Sequence, residues 1–158
     1  MDSFVPQLVE FVGGLHPVLQ FLAVFVIGLV PFLESHFGAF VGTLTGVPVV
    51  LAALAAIVGN LLAVALAVRA GSAVQRKVAS RRGEPSRRAR KVLTNVDRFG
   101  VPVASLLGPF VMATAISTFA MIGAGLDRRT VIIWQAIAVT VWGVVFAALA
   151  TGVIAFVA

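Results

Sequence analysis

Long apolar runs separated by a few short polar breaks organise this chain. Residues 4–12, Phe-Val-Pro-Gln-Leu-Val-Glu-Phe-Val, predict a short amphipathic helix lying at an interface, ended by Gly13-Gly14. Residues 17–33 are apolar apart from Gln20, and residues 37–46 are apolar, small and glycine-rich. Pro48 opens the uncharged run Val49–Val68, which is long enough for one membrane span of about 20 residues. Residues 69–98 form the strongly polar stretch. Its pattern predicts a loop tip at Ser80–Pro85 between short helices at Val74–Val78 and Ala89–Val96. Residues 101–126 are apolar again but interrupted at Gly108-Pro109. Asp127-Arg128-Arg129 punctuates the chain, and Thr130–Ala158 is a last apolar run, enough for a tilted span.

Composition turns these runs into a membrane reading. Hydrophobic residues make up 60% of the chain and charged residues 11%, with a mean hydropathy of +1.08. A soluble domain carries about 25% charge. The expectation is one integral membrane domain over 1–158, in the cell membrane, with the bilayer as its first partner and a homo-oligomer completing its interior. The N-terminal residues lack the basic region of a secretory signal. With no cysteine there is no disulfide framework and no thiolate-bound metal.

Charge sets the topology. Ten of the 12 basic residues lie between Arg69 and Arg98, and none precedes Arg69. The positive-inside rule places 69–98 in the cytoplasm and the N-terminus outside. A basic loop between apolar runs, without interleaved aromatics, argues against nucleic acid as a partner. Arg128-Arg129 also belong inside, which requires 99–126 to enter and leave on the same side. The same logic makes 15–46 a hairpin entering from outside. The predicted fold is therefore all-α, with two inverted repeats (15–68 and 99–158), each a re-entrant helical hairpin followed by a transmembrane helix. Pro31-Phe32 is echoed by Pro109-Phe110, and Gly42–Gly46 by Gly123–Gly125. Interrupted segments at matching places in inverted halves point to a midplane transport site. The alternative is four plain spans, with 17–33 as the first.

Glu34 is the acidic residue inside the apolar runs. A carboxylate at bilayer depth is costly and is a functional-site candidate by default. It follows Pro31 and precedes Gly38, where a helix is expected to break, and a broken helix needs protein or a water-filled cavity around it. Such an acid can couple proton movement to transport or balance a cationic substrate; its structural alternative is a solvated residue at the outer interface. His36 joins it as a candidate, since imidazole titrates near neutral pH, with backbone satisfaction at the break as its other role. Pro31, Gly38, Gly108 and Pro109 are candidate break residues. Asn60 and Gln135 are candidate cavity residues, against the ordinary role of joining helices, and Thr114 is another, against back-bonding to its own helix. His16 reads as interfacial. Trp134 suits an interfacial belt, and Trp142 suits packing. Glu34, His36 and His16 have no metal-ligand spacing, and no cofactor is expected.

Several segments together resemble the small multidrug export protein family, small relatives of the DedA superfamily, in their actinobacterial form. They are Pro31-Phe32-Leu33-Glu34-Ser35-His36-Phe37-Gly38-Ala39, Gly59-Asn60, Arg98-Phe99-Gly100-Val101-Pro102, Leu107-Gly108-Pro109-Phe110 and Trp134-Gln135. Glu34 and Gly38-Ala39 match the family's Glu-Leu-Arg-Gly-Ala type motif, whose arginine is replaced here by Ser35-His36-Phe37. Of the Pro-Gly-Thr-Gly type turn only Pro109 and Thr114 carry over. The arginine that DedA proteins carry in the second hairpin has no counterpart between Arg98 and Arg128. The resemblance implies a small secondary transporter, proton-coupled, exporting small and possibly cationic drug-like molecules. A DedA-like flippase for an anionic lipid carrier and a non-transporting membrane scaffold are the other classes. No phosphate-binding loop, nucleophile triad or paired carboxylates support an enzyme.

Overall fold

The computed structural model describes residues 4–82, 98 and 100–157. Among them every element is helical: α1 Phe4–Gly13, α2 Pro17–Leu29, α3 Glu34–Leu44, α4 Val49–Arg82, α5 Val101–Val111, α6 Thr114–Gly123 and α7 Arg128–Val157. Val49–Ser80 and Arg128–Val157, of 32 and 30 residues, are long and apolar enough to cross a membrane. At 1.5 Å per residue each reaches about 45 Å, beyond the roughly 30 Å of a hydrocarbon core. Contacts gather the chain into two compact units, Met1–Leu62 with Val139–Ala158, and Ala63–Ala138. Each contains one hairpin of short helices and a part of both long helices.

In the first unit, α2 opens on Pro17, whose missing N–H costs nothing in a first turn. His16 Nδ1 accepts from the Val18 N–H at 3.4 Å, and Gln20 Nε2 donates to the Gly13 carbonyl at 3.2 Å. The helix stops at Leu29, as the chain approaches Pro31. Gly28 and Gly59 bring α2 and α4 together at backbone distance: a β-carbon on Gly28 would run into the Ala56 carbonyl, and one on Gly59 into the Phe25 carbonyl. Small residues permit such approach. Gly38 serves the same purpose inside α3, where a β-carbon would lie 3.0 Å from Ala56 Cβ and 3.1 Å from the Val24 carbonyl. It marks close packing and not the expected helix break. The amphipathic α1 packs on this hairpin: Val12 is fully buried with Ile27 and Val41, flanked by Leu8, Val9 and Phe37.

In the second unit, α4 continues through Arg69 without interruption. The expected boundary at Val68 and the separate helix at Val74–Val78 are therefore corrected to one helix reaching Arg82. Arginine, lysine, glutamine and alanine are strong helix formers, so a change of polarity there brings no change of backbone. Gly71 lets α4 meet α6, its place for a β-carbon lying 2.9 Å from the Phe119 carbonyl. The expected loop tip at Ser80–Pro85 is helical as far as Arg82, and the expected helix at Ala89–Val96 lies outside the described residues. The expected break at Gly108-Pro109 is also displaced. Both residues lie inside α5, which ends at Val111, and the turn is made by the extended Met112 and Ala113. Pro109 sits in the last turn, so one lost hydrogen bond does not stop the helix at once.

The turns that follow the two hairpins are closed bond for bond alike. Thr45 N donates to Val41 O, Gly46 N to Thr43 O and Val47 N to Gly42 O; Ala124 N, Gly125 N and Leu126 N donate to Ala120 O, Ile122 O and Met121 O. Gly46 and Gly125 take the left-handed conformation, with φ of 91° and 96°, that a glycine helix stop requires. The glycine-rich turns read from the sequence are thus equivalent, whereas Pro31 and Pro109 are not: one lies in a turn, the other in a helix.

Asp127 caps α7, with Oδ2 accepting from the Thr130 N–H at 2.7 Å and the Thr130 hydroxyl at 2.8 Å. The Thr130 N–H bond, then the hydroxyl bond, hold its carboxyl below the ordinary aspartate value. Replacing Asp127 by alanine is expected to destabilise the protein by about 1 kcal/mol. Because the folded value is depressed, that contribution is complete above the ordinary aspartate range and fades as pH falls through the lower folded value. Thermal unfolding of wild type and Asp127→Ala at pH 7 and at acid pH checks this; the gap should close in acid.

Candidate functional site: a buried acid at a hairpin turn

The turn joining α2 and α3 completes its hydrogen bonds through its own backbone. Val30 N donates to Val26 O and Ile27 O, both at 3.2 Å; Leu33 N and Glu34 N both donate to Val30 O, at 3.2 and 3.1 Å. This closure forces two side-chain-bearing residues into the left-handed region, Phe32 at φ 72° and Glu34 at φ 58°. Each costs about 1–2 kcal/mol relative to right-handed backbone. Strain of this kind persists only where the surroundings over-determine it, and it gathers at functional sites. Phe32 is exposed, but Glu34 is 1% exposed. The carboxyl is therefore delivered into the protein at the start of α3, and the solvated-interface alternative does not describe it.

Ser35 follows it, equally buried. Its hydroxyl donates to the Val139 carbonyl of α7 at 2.8 Å and accepts from Asn60 Nδ2 of α4 at 3.4 Å. One hydroxyl thus ties α3 to α4 and α7 inside the first unit. Gly143, one turn beyond Val139, clears the room: a β-carbon there would lie 2.6 Å from Ile57 Cγ1 and 3.4 Å from Ser35 Cβ. Asn60 has the helix-joining role considered for it. Ser35 and Gly143 escape a reading of the sequence, since a serine and a glycine among apolar residues carry no spacing signal. Their roles depend on two remote segments meeting.

His36 lies in the same first turn, and its ring meets Phe146 edge-on, centroids 5.1 Å apart. Phe146 also gathers Phe40 and Trp142, at 6.3 and 6.2 Å. His36 Nδ1 is buried with no hydrogen-bond partner. Trp142 thus has the packing role expected of it. Pro31 occupies the turn itself. In the same unit a groove of about 640 Å³ runs between α4 and α7, apolar apart from the hydroxyls of Thr140 and Thr151. Ile57 lines it, and so joins the groove wall to the place where Gly143 meets Ser35.

Thr114 and Gln135 belong to the second unit. Gln135 is fully buried and donates from Nε2 to Ser117 Oγ at 3.1 Å. Ser117 and Thr118 in turn donate to the Thr114 carbonyl, at 2.9 and 2.7 Å. Gly108 faces this group, the position of its β-carbon lying 3.8 Å from Ser117 Oγ. Among the described residues no group of three or more His, Cys, Asp or Glu side chains is placed to hold a metal ion. No protein-family model, curated protein or solved structure matches this chain.

The Ser35 hydroxyl generates a prediction. Ser35→Ala leaves a buried amide without its acceptor and is expected to cost about 1–3 kcal/mol. Ser35→Ala combined with Asn60→Leu should cost less than the sum of the single changes, because the two residues share one bond. Unfolding of the two single variants and the double variant measures the coupling.

Proposed function

We propose that the protein is a small multi-pass secondary transporter of the cell membrane, built as two inverted repeats and resembling the small multidrug export family. The observation that carries this reading is Glu34: a fully buried carboxyl at a strained break between two short apolar helices. A structural residue would not need an acid there, since burying one is costly, whereas a transporter uses that cost. An acid removed from water exchanges a proton or a cation as its surroundings alternate. Glu34 is the coupling group and His36 its neighbour in the same turn. Ser35 and Asn60 position that turn against the long helices. The apolar groove along α4 and α7 receives the lipophilic part of a substrate. The alike turns after the hairpins, Gly46 and Gly125, support the repeat. The basic segment 69–98 is assigned to the cytoplasm by its charge.

The groove also favours a second reading. Its apolar lining suits an acyl chain, so transport of a lipid carrier is retained on that observation.

Flux of a fluorescent lipophilic cation into proteoliposomes under an imposed pH gradient tests the proposal, with wild type compared to Glu34→Gln. Transport is expected to need both the gradient and Glu34, with the variant at the level of empty liposomes although it purifies as a folded protein. Undiminished flux through Glu34→Gln would sink the assignment. No flux through either folded protein would move the lipid-carrier reading to the front, and free tolerance of substitution at Glu34 and His36 would favour a scaffold.

A further inference from the structure

Where α7 begins, an open pocket of about 530 Å³ is lined by Asp127, Arg128, Arg129, Ile132 and Ile133. The Glu34 reading makes no use of it. Arg128 and Arg129 are exposed, and so are the two isoleucines. On a helix, residues four apart are neighbours on one face. Arg128 therefore stands over Ile132 and Arg129 over Ile133, each one turn nearer the helix start. Side chains on a helix lean towards its N-terminus, so both guanidinium groups reach out from the apolar run while their stems cover its edge. The pocket is charged at its rim and apolar at its floor.

The rim is not neutralised within its unit. Asp127 is the one acid among the described residues of Ala63–Ala138. Its Oδ2 accepts from the Thr130 N–H and hydroxyl, and Arg129 lies within its field. Two guanidinium groups facing one carboxylate leave a positive charge uncompensated. Because Asp127 already caps the helix, the attraction for an anion comes from the arginine side chains. Guanidinium groups bind phosphate oxygens through paired N–H donors. A free phosphate would leave the isoleucine floor uncovered. A phospholipid meets both parts, with its phosphate at the arginines and its acyl chains along Ile132 and Ile133. The uncompensated charge matches one phosphodiester. A choline headgroup would bring a further cation to the same rim, so a headgroup without positive charge fits better.

We propose that this pocket binds an anionic phospholipid, with Arg128 and Arg129 holding the phosphate and Ile132 and Ile133 seating the acyl chains. The site rests on the membrane reading of the chain and not on transport, since the lipid is held at the start of α7 and not carried.

Trp134, beside Ile133 and half-buried, reports on the pocket. The full chain with Trp142→Phe, which leaves Trp134 as its one tryptophan, is reconstituted into phosphatidylcholine vesicles. Quenching of Trp134 by brominated phosphatidylglycerol and by brominated phosphatidylcholine gives their relative affinities. Phosphatidylglycerol is expected to bind about fivefold more tightly, the worth of one net positive charge near a headgroup. Arg128→Gln with Arg129→Gln should bring the ratio to about one, and Arg128→Lys with Arg129→Lys should keep part of the preference. Arg76→Gln with Lys77→Gln removes the same charge from exposed positions outside the pocket and should leave the ratio unchanged. Equal affinity of the parent protein for the two lipids would overturn the proposal. Equal loss in the two glutamine pairs would also overturn it, by showing diffuse surface charge in place of a site. Loss of the preference in added inorganic phosphate, at constant ionic strength, would make it a site for free anions and overturn the lipid assignment. Quenching by neither lipid would overturn the membrane reading and the site with it.

Discussion

Wherever an apolar chain turns back on itself away from water, its backbone donors and acceptors must be satisfied by the protein. The Val30–Leu33 turn meets this demand by directing both Leu33 N–H and Glu34 N–H to one carbonyl, that of Val30. Left-handed backbone at Phe32 and Glu34 is the consequence. From that geometry follows the rest of the first unit. Glu34 and Ser35 enter the interior together, Ser35 reaches the α7 backbone, and Asn60 closes on Ser35 from α4. Gly28 and Gly59 hold α2 and α4 at backbone distance beside this turn. A bulkier pair there would move the turn away from its partners.

The second unit meets the same demand differently. Its hairpin turns through extended Met112, and Pro109 lies inside the last turn of the helix before it. The polar side chains gathered there are neutral: Ser105, Thr114, Ser117, Thr118 and Gln135. The two hairpins are thus alike in the glycine turns that follow them and unlike in chemistry, one delivering an acid and the other neutral hydroxyl groups.

Much of the architecture was legible in the chain. Apolar runs of span length, the stop before Pro31 and the glycine turns at Gly46 and Gly125 depend on local physics: hydrophobic length, proline sterics and left-handed backbone. Glu34 stood out as a candidate because a lone acid among apolar residues is costly anywhere, and the structure buries it. What escaped depends on tertiary contact. The polarity change at Arg69 resembled a helix end, yet its residues are strong helix formers and α4 runs on. Pro109 resembled a break, but a proline in a last turn removes one bond and lets the helix finish. Gly38 resembled a helix break, whereas its role comes from Ala56 and Val24 packed against it. Ser35 gave no signal of its bonding role, because its partner, the Val139 carbonyl, lies on a distant segment.

The account rests on Glu34 as an exchanging acid and not a structural one. Proton release on substrate binding tests that most directly. A lipophilic cation would be titrated into detergent-purified protein in weak buffer with a pH indicator, comparing wild type and Glu34→Gln. The account predicts that binding to wild type releases a proton and that the variant releases none. Equal proton release from both would show that another group is titrating, and binding without release from wild type would show that Glu34 does not exchange.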